Sequence, residues 1–115
     1  MQYSHSLKQN HLFRRLYRKG TSSANRYLVL YRRRNGSGSN RVGITVSAKL
    51  GHAVVRNRLR RRLREIYRLH ETSFRPGFDL VVVGRKAATE ADYQSLERAY
   101  LSLAAKLGLL RGDPS

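Results

Sequence analysis

The chain has 115 residues, with 24 Lys and Arg against 7 Asp and Glu, so its formal net charge is +17. This length predicts one domain over residues 1–115, with a core over about 7–107 and frayed termini. A hydrophobic fraction of 40% excludes a wholly disordered polycation, and no apolar run reaches the roughly 20 residues of a membrane span. Cysteine is absent, which excludes disulfides and thiolate sites. Residues 1–10 lack the apolar core of a signal peptide, so we expect a cytoplasmic location.

The positive charge is concentrated in the first half of the chain. The first acidic residue is Glu65, and residues 1–64 carry 17 basic groups and no carboxylate. Self-repulsion on this scale favours a polyanionic partner. Nineteen of the basic residues are arginine, whose planar fork fits phosphate oxygens and stacks on bases. We therefore predict a nucleic acid as the partner, with an anionic membrane surface as the alternative.

The first predicted elements are a helix over about 10–19, a linker over 21–25 and a strand over 26–34. A strand over 41–47 follows a loop of Asn, Gly and Ser, and we expect it to pair with 26–34 as an antiparallel hairpin. If the linker adds an edge strand, the sheet has four strands rather than three.

The second half predicts a long helix over about 53–70, a buried strand over 78–84 and a last helix that ends at Gly108. Thr89 and Asp92 resemble a capping box that opens the last helix. The order αβββαβα predicts the α+β class: a two-layer α/β sandwich with a mixed sheet of about four strands and helices on one face.

The densest basic segment lies on the long helix, where an apolar stripe and a basic ridge fall on opposite sides. The apolar stripe consists of Val55, Leu59, Leu63 and Ile66. The basic ridge consists of Asn57, Arg61, Arg64 and Arg68, flanked by Arg56, Arg58, Arg60 and Arg62. A solvated helix face is the alternative interpretation. However, like charges at these spacings destabilise a helix, and only Glu65 is nearby to offset them, so we predict phosphate contacts.

A second group of candidate residues is aromatic. Phe13 and Tyr17 lie one turn apart on the first helix, and Tyr27 and Tyr31 lie on one strand face with Val29 between them. Bases stack on such rings while basic groups hold the backbone. A core role is the alternative. On the residues alone, a core role is the better interpretation for Phe13 and Tyr17. For Tyr27 and Tyr31, a core role and base stacking are equally supported.

The sequence shows no arrangement of residues typical of an enzyme active site. Four scattered residues, His5, His11, His52 and His70, lack the spacing of a metal site. A two-metal nuclease centre needs carboxylates, and none precedes Glu65. The residues alone therefore predict a protein that binds RNA or DNA without cutting it. A ribosomal or nucleoid-type coating protein is one such class.

Three stretches carry a resemblance to a known family. Residues 41–47 read RVGITVS, 49–58 read KLGHAVVRNR and 60–65 read RRRLRE. Over about residues 7–107 the chain resembles the bacterial ribonuclease P protein subunit. Shorter matches are Phe13 and Tyr17 before Lys19 and Gly20, residues 24–26 and 28–31, and Asp79 ahead of 81–83.

The resemblance implies a ribonucleoprotein endonuclease that removes the 5′ leader from precursor tRNA. A catalytic RNA would hold the active site and its magnesium ions. The protein would contribute no catalytic residue and no metal ligand, and would need no protein partner. It would bind the single-stranded leader and stabilise the active RNA. The resemblance also implies a left-handed βαβ crossover around the Arg-rich helix, against the right-handed default.

Carried over by position, the resemblance assigns two sets of residues. The set expected to bind the RNA subunit is Arg56, Asn57, Arg58, Arg60, Arg61, Arg64 and Arg68. The set expected to line the leader cleft is Phe13, Tyr17, Val29, Tyr31 and Lys49. Two positions depart from the family pattern. Ala48 stands where the first lysine of a Lys-Lys pair is usual, and Tyr17 stands where many members have Phe.

Overall fold

The computed structural model describes residues 4–6 and 10–112, which form a five-stranded mixed sheet and three α-helices. The strands are β1 (Ser4–Ser6), β2 (Thr21–Ala24), β3 (Leu28–Arg34), β4 (Asn40–Thr45) and β5 (Phe78–Gly84). The helices are α1 (Asn10–Lys19), α2 (Ala53–His70) and α3 (Tyr93–Lys106). Single turns of 3-10 helix follow β4, α2 and β5, at Ala48–Leu50, Glu71–Ser73 and Lys86–Thr89.

β5 is the central strand of the sheet, whose order is β1-β4-β5-β3-β2. It pairs parallel with β4 and antiparallel with β3. The predicted hairpin between 26–34 and 41–47 is therefore wrong, because β3 and β4 each pair with β5 instead of with each other. The physical reason is the apolar run at 80–83. Successive side chains of a strand point to opposite faces, so such a run has to be covered on both faces.

The predicted class and element order are confirmed. From residue 10 onward the order is αβββαβα, and α2 connects the parallel neighbours β4 and β5, which makes the expected βαβ unit. The segment 21–25, which the sequence left open, forms the edge strand β2 against β3. A further short strand, β1, adds to β4 at the other edge.

Among the residues whose burial is described, apolar side chains form two clusters on opposite faces of the sheet. The larger cluster fills the space between the sheet and helices α2 and α3. The smaller consists of Leu16 of α1 and Val81 of β5, surrounded by three partly buried side chains, Phe13, Tyr31 and Val83. Helix α1 therefore lies opposite α2 and α3, whereas the sequence predicted helices on one face. Val81 alternates with Leu80 and Val82, and Leu16 supplies the cover that it needs.

The start of α3 also differs from the sequence prediction. Asp92 is the N-cap, and its carboxylate accepts a 2.7 Å hydrogen bond from the Ser95 N–H, which lowers the pKa of Asp92. Thr89 ends the preceding 3-10 turn, where its hydroxyl donates to the Lys86 carbonyl at 2.7 Å. The predicted capping box is therefore wrong, because Asp92 caps the helix directly and Thr89 is used one turn earlier.

Gly20 joins α1 to β2 at a point where no side chain fits. A Cβ atom there would lie 2.5 Å from the Leu16 carbonyl oxygen and 2.9 Å from the Arg32 carbonyl oxygen. Both are backbone atoms, which cannot rotate away. We expect Gly20→Ala to lower the free energy of unfolding by about 1–3 kcal/mol, measured by urea denaturation.

The matched control for this prediction is Gly38→Ala. A Cβ atom at Gly38 meets nothing within 4 Å, so this variant should unfold at the parent's urea concentration or slightly above it. Equal stabilities for the two variants would show that the junction of α1 and β2 has room for a methyl group.

Candidate nucleic-acid interface

Helix α2 has one buried side and one basic side. Its buried residues are Leu59, Leu63, Ile66 and Tyr67, while Val55 at the start of the predicted stripe is half-buried. The four members of the basic ridge, Asn57, Arg61, Arg64 and Arg68, are all exposed. The predicted orientation of α2 is therefore confirmed, and its basic ridge faces away from the sheet.

Three arginines beside the basic ridge anchor α2 to neighbouring segments. Their guanidinium groups donate to backbone carbonyls: Arg56 to Gly51 at 3.2 Å, Arg60 to Val46 at 3.4 Å and Arg62 to Ala91 at 3.1 Å. Arg60 also donates to Oδ1 of Asn57 at 2.9 Å. A carbonyl acceptor leaves the guanidinium charged, so these residues fix positive charge beside the ridge as well as holding the helix.

Charge on the basic ridge is uneven. Arg68 donates to Glu65 from Nε at 3.0 Å and from Nη2 at 2.5 Å, and this pair lowers the pKa of Glu65. Arg61 and Arg64 take part in no ion pair with the residues that the structure describes. These two arginines therefore carry the uncompensated charge of the ridge.

Sequence reasoning missed Val54 at the start of α2. This side chain is 79% exposed, more than any other large apolar side chain whose burial is described. It precedes Asn57 by three residues and Arg61 by seven, so it lies on the line of the basic ridge. That spacing was visible in the sequence, but it was obscured because Val54 neighbours the core-facing Val55.

An aromatic patch lies on the opposite side of the sheet, and we define it as Phe13, Tyr17 and Tyr31. The Tyr17 ring packs edge-on against Tyr31 at 4.9 Å between centroids and lies 6.4 Å from Phe13. Tyr17 is 42% exposed, and its hydroxyl lies 3.3 Å from Oγ1 of Thr45. The patch thus joins α1 to the sheet and presents its central ring to solvent.

The other two residues of the predicted leader cleft are less tightly grouped. Val29 is partly buried two residues before Tyr31, and therefore shares its sheet face. Lys49 is exposed in the 3-10 turn after β4, where its backbone N–H donates to Oγ of Ser47 at 3.2 Å. Lys49 enters none of the ring contacts of the aromatic patch.

Tyr27 does not share the face of Tyr31 as the sequence predicted. It lies before the first residue of β3 and packs against the larger cluster, with the Arg26 guanidinium 5.6 Å from its ring. The cause is Asn25, whose Oδ1 accepts from the backbone N–H groups of Tyr27 and Leu28 at 3.0 and 2.9 Å. This turn breaks the strand alternation before β3 begins.

Four carboxylates of the described residues form ion pairs or cap a helix: Glu65, Asp79, Asp92 and Glu97. Asp79 accepts two 2.7 Å bonds from Arg41 and a 3.1 Å bond from Asn35, and Glu97 lies 2.9 Å from the His70 ring nitrogen. No group of three or more acidic or histidine side chains in the described ranges is placed to hold a metal ion. Nor does any helix in these ranges have both the length and the apolar character to cross a membrane.

The family model described as Ribonuclease P matches residues 1–108. The ribonuclease P protein component of Natranaerobius thermophilus is 42% identical over 106 residues, covering 92% of each chain. That of Alkaliphilus oremlandii is 41% identical over 104 residues, covering 90% of this chain and 91% of the relative.

Two solved structures share the fold. The RNase P protein of Staphylococcus aureus has a TM-score of 0.86 at 31% identity, covering 93% of this chain and 98% of that one. The RNase P protein of Thermotoga maritima has a TM-score of 0.79 at 34% identity, covering 85% of this chain and 93% of that one. Matches in sequence and in fold over this much of the chain show that it belongs to the ribonuclease P protein family.

Proposed function

We propose that this ribonuclease P subunit binds the catalytic RNA through α2 and the 5′ leader of precursor tRNA through the aromatic patch. The observation that carries the proposal is the presence of two unlike surfaces on opposite sides of one sheet. One is an arginine-rich helix face, and the other is a cluster of rings with an exposed centre. A coating protein needs only the first of these surfaces.

The basic ridge suits a phosphate backbone. From Asn57 to Arg68 it extends about 16 Å along α2, with Arg61 and Arg64 in its middle. The full set that we assign to the RNA subunit is Arg56, Asn57, Arg58, Arg60, Arg61, Arg64 and Arg68. Val54 extends the same line with an apolar group, which suits a ribose or a base edge.

The aromatic patch suits a single strand of any sequence. A base can stack on an aromatic ring whatever its identity, because every base has a π-face. Tyr17 offers the most accessible ring, with Phe13, Tyr31 and Val29 behind it. Lys49 is the exposed cation that we assign to the leader backbone. Because position 48 is alanine, this segment offers one amine where the family usually has two.

We assign the bond-breaking step and its magnesium ions to the RNA subunit. The carboxylates described above bind cationic or capping partners: Asp79 pairs with Arg41, Glu65 with Arg68, and Asp92 caps α3. The protein then has the role of binding and orienting two RNAs. Its fixed positive charge also lowers the magnesium concentration that the catalytic RNA needs.

The test is reconstitution. The protein is added to the ribonuclease P RNA of the same organism at low magnesium, and release of the leader from precursor tRNA is followed on a gel. We expect cleavage to rise with protein concentration and to saturate near one protein per RNA. Tight RNA binding with no change in cleavage would identify a coating protein instead.

Binding to the catalytic RNA should depend steeply on salt. If α2 and its neighbours neutralise about six phosphates, a plot of log K against log salt concentration has a slope on the order of −4 to −5. The measurement is filter binding between 50 and 400 mM KCl, on the order of one decade of salt. A slope shallower than about −2 would mean too few phosphates for this interface.

A further inference from the structure

A second concentration of positive charge lies away from both proposed surfaces. A cleft of about 510 Å³ opens where the end of β3 meets the start of β5 and the C-terminus of α3. Its cationic lining residues are Arg32, Arg34, Arg75 and Lys106, beside Phe78 and Thr21. We call it the α3-end cleft. None of these residues belongs to the basic ridge or the aromatic patch.

Two guanidinium groups converge on one ring in this cleft. The Cζ atoms of Arg32 and Arg34 lie 5.3 and 5.4 Å from the centroid of Phe78, which pairs with Arg34 across the sheet. An aromatic ring attracts a cation through its π-face and does not accept a hydrogen bond from any one of its N–H groups. The ring therefore holds two like charges side by side while leaving them donors for a ligand.

The cleft lacks a neutralising acid among the residues that line it. The nearest carboxylate in register, Asp79, lies opposite Arg33 and is engaged by Arg41 and Asn35. The Nε of Arg32 is buried and makes no hydrogen bond with the described part of the chain. The last carbonyls of α3 offset only about half a charge. Arg75 has partners of its own, including the Leu110 carbonyl, to which its Nε donates at 3.2 Å. The charge of the cleft therefore rests on three cations, Arg32, Arg34 and Lys106.

We propose that the α3-end cleft binds phosphodiester groups of RNA, which gives the protein a third contact in the assembled particle. Arginine forks match phosphate oxygens in geometry and charge, and the Thr21 hydroxyl adds a neutral donor. The three cations Arg32, Arg34 and Lys106 exceed the charge of one inorganic phosphate, so a polyanion with successive phosphates fits the cleft better than a single ion. This inference rests on the proposed function, because that function supplies RNA as the polyanion.

The first test uses cross-linking, for which the absence of cysteine in the chain is an advantage. Ala105→Cys places a unique thiol in the wall of the cleft without removing a cation. Val54→Cys places one beside the basic ridge as the reference. Each thiol is labelled with a photo-reactive group, the protein is assembled with the ribonuclease P RNA and precursor tRNA, and cross-linked nucleotides are mapped by primer extension.

We expect an RNA cross-link from Ala105→Cys that is lost when Arg32→Gln and Arg34→Gln are added. Glutamine keeps part of the stem over Phe78, and a retained cross-link from Val54→Cys shows that the variant is folded and assembled. The matched control is Arg26→Gln, which removes one charge from a similar ring contact at Tyr27. It should leave the Ala105→Cys cross-link unchanged.

The remaining outcomes overturn specific statements. A cross-link from Val54→Cys without one from Ala105→Cys refutes the third contact and leaves the proposed function intact. The absence of a cross-link from either thiol refutes both the third contact and the proposed function.

A second measurement separates the sources of phosphate: the Arg32 Nε–Hε signal is followed by NMR during titration with inorganic phosphate and with an oligoribonucleotide. A response to inorganic phosphate alone, with no RNA cross-link, would make the cleft a free-anion site and refute the RNA assignment.

Discussion

Arg61→Ala and Arg64→Ala should each weaken binding to the catalytic RNA by roughly 1–3 kcal/mol, as charge-assisted hydrogen bonds to phosphate are lost. Both side chains are exposed and lack an ion-pair partner among the described residues, so their charge is directed at whatever binds α2. Exposed substitutions of this kind change stability by less than about 0.5 kcal/mol. The measurement is the dissociation constant of each variant at fixed salt, beside its thermal unfolding curve.

Two arginines of the same helix provide matched controls. Arg68→Ala should lose less RNA affinity than Arg61→Ala, because Glu65 already offsets the charge of Arg68. Arg62→Ala should instead lower the unfolding temperature, because it removes the bond to the Ala91 carbonyl that ties α2 to the segment before α3. If Arg61→Ala and Arg64→Ala unfold while RNA affinity per folded molecule is unchanged, the basic ridge has a structural role only.

The Arg-rich helix was predictable because its determinants are local. The apolar residues of α2 recur at helical spacing and its limits fall at 53 and 70, as the sequence indicates. Once that spacing is fixed, the exposed side follows from geometry. Whether an arginine binds an acid or a carbonyl was not predictable, because Ala91 and Val46 reach α2 only through the fold.

Strand neighbours were predictable only in part, because pairing depends on contacts between distant segments. The loop between β3 and β4 has the composition of a hairpin loop, yet β5 inserts between the two strands. The apolar run at 80–83 was the feature of the sequence that indicated a central position for β5. Its uninterrupted apolar character indicates a strand covered on both faces, and this also requires a helix on each side.

The aromatic patch needed the structure for the same reason. Phe13 and Tyr17 are on α1, and Tyr31 is on β3, so they meet only because α1 covers the face that carries Val81. The sequence could not show which face α1 occupies. It also paired Tyr31 with Tyr27, which the Asn25 turn directs to the other cluster.

Substitutions at Tyr17 should separate leader binding from binding of the RNA subunit. Tyr17→Ala removes the most exposed ring of the patch, and stacking contributes about 1–3 kcal/mol per base. We expect the assembled enzyme to bind precursor tRNA on the order of tenfold to a hundredfold more weakly. Mature tRNA, which lacks the leader, should bind as before, and assembly with the catalytic RNA should not change because the basic ridge is intact.

The matched control is Tyr17→Phe, which keeps the ring and removes only the hydroxyl near Thr45. Its affinity for precursor tRNA should stay within about twofold of the parent, since the ring still stacks. Tyr31→Ala should also weaken binding of precursor tRNA. Because this variant exposes Val81 and Leu16, its unfolding temperature should fall, whereas that of Tyr17→Phe should not. The measurement is a pair of dissociation constants, for precursor and for mature tRNA, for each assembled variant. Equal losses for the two ligands in Tyr17→Ala would mean that this ring supports the fold or the RNA subunit, and the leader would then have to bind elsewhere.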